Sequence, residues 1–335
     1  MRSSTRDVLQ SLSARGLFDG AKTPAARTLL ENPGIPLHLQ VLSGAGAWLA
    51  AVFFIGSIVI LGGFRHQALL TEGLVLIAVA TGLRWTSNHV FPVQFALAMS
   101  MAGHALALVG MGERADSALA ITGLAVALCA VLYPFYRDPV HRFLSCLTAL
   151  VAIEGWLIDA KLHHGLHALL ALEVIGLGAL FLRRGLRPSL RPMAFALAVA
   201  GPGLLATFCI GEMKLETTDW PARLILAAAL VALVRHVGGR REPAILAILA
   251  TFVLGAFTAP GLLAAIGLLV LGYHRRERLL VGLGIASFTG FLWYFYYSLE
   301  MDLGMKSALL MGSGLVLLGA RRLLAGRPWA RKECA

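Results

Sequence analysis

The chain has 335 residues, 58% of them hydrophobic and 14% charged, and its 29 Lys and Arg against 18 Asp and Glu give a formal charge of +11. Soluble domains run at about 45–50% apolar and about 25% charged. With a mean hydropathy of +0.77, this composition excludes a soluble enzyme, a disordered chain and a disulfide-built secreted scaffold. It also makes nucleic acid a poor reading of the basic charge, and the partner it indicates first is the lipid bilayer.

Residues 1–40 are polar and lack the short apolar core and cleavage site of a signal peptide. Ser4 with Asp7 three residues on resembles a capping box before Val8, Leu9 and Leu12, and Gly16 is placed to end that helix. Thr23-Pro24 starts a second helix, because proline suits the first helical position, and Asn32-Pro33-Gly34 stops it. This cytoplasmic N-terminal segment reads as two short helices on the inner membrane surface, either a packed cap or a docking site for a partner subunit.

A bilayer core about 30 Å thick needs roughly 20 apolar residues per helix, with about 17 as a lower limit. Cut at its charge clusters, the chain yields Val41–Phe64, Ala68–Leu83, Phe91–Gly112, Ser117–Tyr136, Val140–Ile158, Gly165–Leu182, Pro192–Gly211 and Trp220–Val234. The uncharged stretch Pro243–Tyr273 would be roughly 46 Å long as one helix, too long for one span. Thr258-Ala259-Pro260-Gly261 is a turn signal within it, so it divides into 243–258 and 260–273. Leu279–Ser298 and Ser307–Leu318 follow. The expected fold is all-α: a polytopic transmembrane bundle of about twelve spans over residues 41–320, followed by a basic tail at 321–335. A membrane barrel would instead show short alternating segments. Helices satisfy their backbone polar groups within one segment, as lipid demands.

With twelve spans, 23 of the 29 Lys and Arg fall on one face and six on the other. Lys and Arg mark the cytoplasmic side of short loops, so both termini are expected inside. Were 243–273 a single span, the cluster His274–Arg278 and the tail would move outside and weaken the asymmetry. The alternative is eleven spans with a re-entrant hairpin. Arg321, Arg322, Arg327, Arg331 and Lys332 then lie where anionic headgroups attract them. Cys129, Cys146, Cys209 and Cys334 have no zinc-type spacing and imply no disulfide.

No loop exceeds about a dozen residues and no Walker A motif occurs. Any activity must therefore lie among the helices or at their mouths, and no catalytic constellation marks the chain as an enzyme. Ionisable residues inside the membrane are costly and serve as functional hypotheses. Glu173, near the middle of its span, leads them, with Glu154, Glu72 and His104 as further candidates for a proton or ion relay. Each also fits a buried polar group bonded to a neighbouring helix. In the outer loop beside Glu154, His163 and His167 are four apart and share a helical face. With Asp159 they could hold Zn or Cu, although the HExxH glutamate is missing and no resident cofactor is expected. Trp293, Tyr296 and Tyr297, in an aromatic run at the outer end of the eleventh span, are candidates for a ligand mouth with Lys306. An aromatic belt and a snorkelling lysine are the plainer readings. Gly201-Pro202-Gly203 is expected to interrupt the seventh span, as broken helices do at transporter sites.

Two regions carry a family resemblance: Ile35-Pro36-Leu37 with Gly44-Ala45-Gly46-Ala47-Trp48-Leu49-Ala50-Ala51, and Trp293-Tyr294-Phe295-Tyr296-Tyr297-Ser298-Leu299 with Lys306-Ser307 and Gly319-Ala320-Arg321-Arg322. Together they resemble a bacterial family of uncharacterised polytopic inner-membrane proteins, often encoded beside a second multi-pass protein and a GDYXXLXY-motif membrane protein. The resemblance implies a bacterial cytoplasmic-membrane location and other multi-pass membrane proteins as partners, and supplies no catalytic residues. Three functions follow. The leading one is a subunit of an envelope membrane complex without chemistry of its own. The second is a proton- or ion-coupled secondary transporter using Glu173. The third is an intramembrane enzyme with an outward-facing site near Asp159–His167.

Overall fold

The structure is a computed structural model and describes residues 37–60, 68–87, 89–136, 138–182, 187–209, 220–237 and 260–298, with 304, 307 and 311. Among the described residues the regular elements are ten α-helices and no strands. They are α1 (Leu37–Ile60), α2 (Leu69–Thr86), α3 (Val90–Ala115), α4 (Ala118–Phe135), α5 (Pro139–Asp159), α6 (His163–Leu182), α7 (Arg191–Cys209), α8 (Trp220–Val237), α9 (Pro260–Arg275) and α10 (Arg278–Ser298). Seven of them, α2 to α7 and α10, are long and apolar enough to cross a membrane. The first eight expected spans, the tenth and the eleventh each carry one of these helices. The expected ninth span at 243–258, most of the twelfth and both terminal segments lie outside the described residues.

The chain forms two compact units, Met1–Asp116 and Ser117–Ala335. In the first, α2 and α3 pack side by side along glycines. A Cβ on Gly73 would lie 2.6 Å from the Gly103 carbonyl oxygen, and one on Gly103 would lie 2.7 Å from the Gly73 carbonyl oxygen. One on Gly110 would collide with the backbone of Leu69 and Leu70. The pairing of 70 with 110 and 73 with 103 and 107 makes the helices antiparallel. Such contact suits lipid, where hiding apolar side chains gives helices little reason to associate and close backbone approach must supply the attraction. Asp116, in left-handed conformation at φ 42°, ends α3 with its N–H on the Gly112 carbonyl.

In the second unit, tight turns set neighbouring helices antiparallel. Asp138 caps α5, accepting from the N–H groups of Val140 (2.8 Å) and His141 (3.1 Å), and Pro139 takes the first helical position, where its missing N–H costs nothing. The Tyr136 and His141 rings stack at 3.9 Å, and Arg142 Nε donates to the Tyr133 carbonyl at 2.7 Å. At the end of α5 the N–H of Leu162 reaches back to the Leu157 carbonyl and that of Lys161 to Ile158, a Schellman closure with Lys161 left-handed at φ 55°. The same closure ends α9, with Arg276 at φ 56° and Glu277 N–H on the Gly272 carbonyl. Arg191 at the start of α7 then grips Glu277 with both carboxylate oxygens at 2.6 and 2.8 Å. The pair is open to water and adds little beyond fixing register.

Proline 260 opens α9, as the turn signal requires. The other proline expectation is corrected: α7 runs unbroken from Arg191 to Cys209, with Pro202 inside it. What the helix loses is one bond, because proline has no N–H to give the Ala198 carbonyl. Neighbouring packing holds the helix across this gap. The core around it joins Leu166 and Leu170 of α6, Leu204 and Leu205 of α7, Leu226 and Leu230 of α8 and Leu263 and Leu268 of α9, all buried.

Substituting Gly73→Ala should force α2 from α3 and destabilise the protein by about 1–3 kcal/mol. Gly82→Ala, where an added Cβ meets nothing within 4 Å, should be neutral or slightly stabilising. Thermal unfolding of the two variants in one detergent distinguishes a tight helix pair from a loose one, which would tolerate both.

Candidate functional site

The sequence candidates separate into distinct places. Glu72 and His104 belong to the first unit. Glu72 stands in the first turn of α2, where a helix N-terminus favours negative charge. His104 is buried in α3 with Nδ1 at 2.8 Å from the Ser100 carbonyl of its own helix. A donor spent on its own backbone is what a structural histidine shows.

Glu154 and Glu173, in contrast, come together in the second unit. Glu154 projects from α5 and is 9% exposed; Glu173 projects from α6 and is 3% exposed. Their carboxyls are close enough for their charges to interact. The Thr207 hydroxyl of α7 is the polar group beside Glu154, and itself donates to the Leu204 carbonyl at 2.7 Å. Glu154 Oε1 and Glu173 Oε2 are buried and make no hydrogen bond. Burying a polar atom without a partner costs roughly 1–3 kcal/mol, a cost that Glu72 Oε2 in the first unit shares.

Glu173 opens onto a cavity of about 410 Å³ lined by α6, α7, α8 and α9. Its walls are aliphatic side chains, glycine and Pro202 apart from Glu173 and, at the far end, His236 of α8. Gly201 allows the carboxyl its place: a Cβ there would sit 3.6 Å from Glu173 Oε2. Ala198 and Pro202 both line the cavity. The backbone bond that Pro202 cannot make would run between these two residues. Gly178 of α6 and Gly267 of α9 also line it, and an added Cβ at either meets nothing within 4 Å.

The outer turn holds less chemistry than its composition suggests. His167 Nδ1 lies 3.0 Å from the His163 carbonyl of its own helix, and its ring stacks on Phe208 at 5.4 Å. Asp159 is exposed at the end of α5. Among the described residues no three His, Cys, Asp or Glu converge as a metal would need. At the end of α10, Trp293 and Tyr297 pack at 4.9 Å and Tyr296 meets Tyr297 edge-on at 5.4 Å. Trp293 and Tyr297 face outward, as belt residues do. Lys306 lies outside the described residues.

Spacing missed one cluster altogether. Cys129 of α4 and Cys146 of α5 are free thiols with their sulfurs 3.5 Å apart. Their separation in sequence, across a turn, carries no motif that would have paired them.

A helical bundle with seven membrane-length apolar helices defines the class: a multi-pass α-helical membrane protein. Residues 36–326 match the family described as Domain of unknown function (DUF4401), and the chain belongs to it. Searches of curated proteins and of solved structures found no match.

In a Cys209→Ser, Cys334→Ser background, membrane-permeant iodine should oxidise the two remaining thiols to a disulfide, itself reduced to iodide. The sulfurs need approach only to about 2.05 Å. Intact mass and thiol counting read the result, and two thiols still open to alkylation would contradict the α4–α5 packing.

Proposed function

We propose that this protein is a proton- or ion-coupled carrier of the bacterial cytoplasmic membrane, with Glu173 as the group that takes up and releases the coupling ion. The arrangement we propose around it keeps twelve spans and both termini inside. One observation carries the reading: a carboxyl 3% exposed, with Oε2 unpartnered, on the wall of a cavity of about 410 Å³. A carboxyl retained for helix packing would turn its oxygens to a donor on the neighbouring helix. One retained for transport keeps an oxygen without a protein partner, ready to take up the ion. Glu154 is the second member of the relay, its charge felt at Glu173 and its carboxyl beside the Thr207 hydroxyl.

Dicyclohexylcarbodiimide enters apolar sites and reacts only with the protonated carboxyl, forming an O-acylisourea that rearranges to a stable N-acylurea. On the purified full chain in lipid nanodiscs, Glu173 should carry the adduct, more of it as pH falls, and Glu173→Gln should not. Peptide mass mapping gives the site. Failure to label Glu173, with exposed carboxyls still open to a water-soluble carbodiimide, would reject a reactive carboxyl in the cavity and the carrier reading with it.

A further inference from the structure

The carrier reading leaves its substrate unnamed, and the cavity supplies a chemistry for it. The long wall is apolar, so the bound molecule must be apolar over most of its length. One end holds the Glu173 carboxyl, and no cation or hydrogen-bond donor among the cavity-lining residues stands beside it. A carboxyl in an apolar enclosure calls for positive charge from the ligand. Of the lining residues, His236 at the far end and Ile175 and Ala232 on α6 and α8 are exposed, and the last two, Ile175 at 66%, offer an apolar sideways entry. A ligand arriving there comes from the hydrocarbon side.

Resting on the carrier reading, we infer that the cavity binds a lipophilic cation, an apolar body with one positive charge, seated against Glu173 and admitted from the bilayer between α6 and α8. Gly178 and Gly267 serve this site. At Gly73, Gly103 and Gly110 glycine lets backbones touch, but at these two, on the cavity wall, an added Cβ meets open space. They hold the cavity open where leucine would fill it.

A proton and the ligand cation compete for the same carboxyl, so binding one releases the other. The titratable groups facing Glu173 are Glu154 from α5 and, along the cavity, His236 from α8; the lining residues of α7 and α9 carry none. Lower pH protonates the carboxyl, and that weakens the cation.

The test uses the purified full chain in nanodiscs with two probes of one shape and opposite charge, radiolabelled tetraphenylphosphonium and tetraphenylborate. Tetraphenylphosphonium should bind saturably, release protons into a weakly buffered solution, and bind less as pH falls. Tetraphenylborate should show only the partitioning of protein-free nanodiscs. Glu173→Gln should weaken tetraphenylphosphonium by about thirtyfold or more, as losing one partner of a desolvated charge pair does. Glu173→Asp should recover part of it. Gly267→Phe should abolish binding with the carboxyl intact, with helical content and elution volume unchanged. Equal binding of both probes, or tetraphenylphosphonium binding indifferent to Glu173→Gln and Gly267→Phe, would overturn the inference. Carbodiimide labelling of Glu173 without tetraphenylphosphonium binding would reject the ligand class and leave the carrier reading standing, whereas loss of both would reject the carrier reading too.

Discussion

Close backbone approach is the interaction on which this structure depends. In water, helices are driven together by the apolar surface they hide. In lipid that drive is largely absent, and contact must come from packing, backbone proximity and the few polar groups available. Glycine decides where this succeeds. At Gly73, Gly103 and Gly110 the helices α2 and α3 touch backbone to backbone; at Gly272 and Gly284 the same happens between α9 and α10. At Gly178 and Gly267, which line the cavity, an added Cβ meets nothing within 4 Å. One residue type thus builds both the tight seams and the cavity, and only the partner helix distinguishes the two uses.

The carboxyl pair depends on this partition. Glu173 fits beside α7 because Gly201 presents no side chain to it, and Pro202 one residue on removes a backbone bond from the same wall. Proline inside a helix usually kinks or breaks it. Here the buried leucines on both sides, Leu204 and Leu205 with Leu170 and Leu263, keep α7 continuous. The helix is therefore intact in its axis and lacks one backbone bond, next to the glycine that faces the carboxyl.

Much of the fold was legible in the sequence. Charge-bounded apolar runs correspond to ten helices, and Pro260 does open a new one. Helix positions are legible because lipid thickness and charge exclusion act on length and composition, which a sequence displays directly. Helix faces are not. A helix apolar all round carries no stripe to say which side is buried. So Glu173 could be singled out, but its meeting with Glu154, the role of Thr207 and the nearness of Cys129 to Cys146 required the packing. The family places the chain among proteins whose function is unknown, and so adds its boundaries without adding chemistry.

The charge distribution around the cavity favours one route over the other. Glu173 lies nine residues from Leu182 at the far end of the α6 wall, about 14 Å at helical rise. At that far end His236 lines the cavity, its ring 6.4 Å from that of His274, with Arg235 and Arg275 in the same last turns of α8 and α9. Basic side chains at helix C-termini are stabilised by the backbone dipoles there. They also raise the local potential against any cation arriving along the cavity axis. The α6–α8 lip carries no such barrier: Ile175 and Ala232 are neutral and apolar. A cation that reaches Glu173 with its apolar body already out of water avoids the basic end entirely. The basic residues then act as a stop behind the site, holding charge at the carboxyl rather than letting it through.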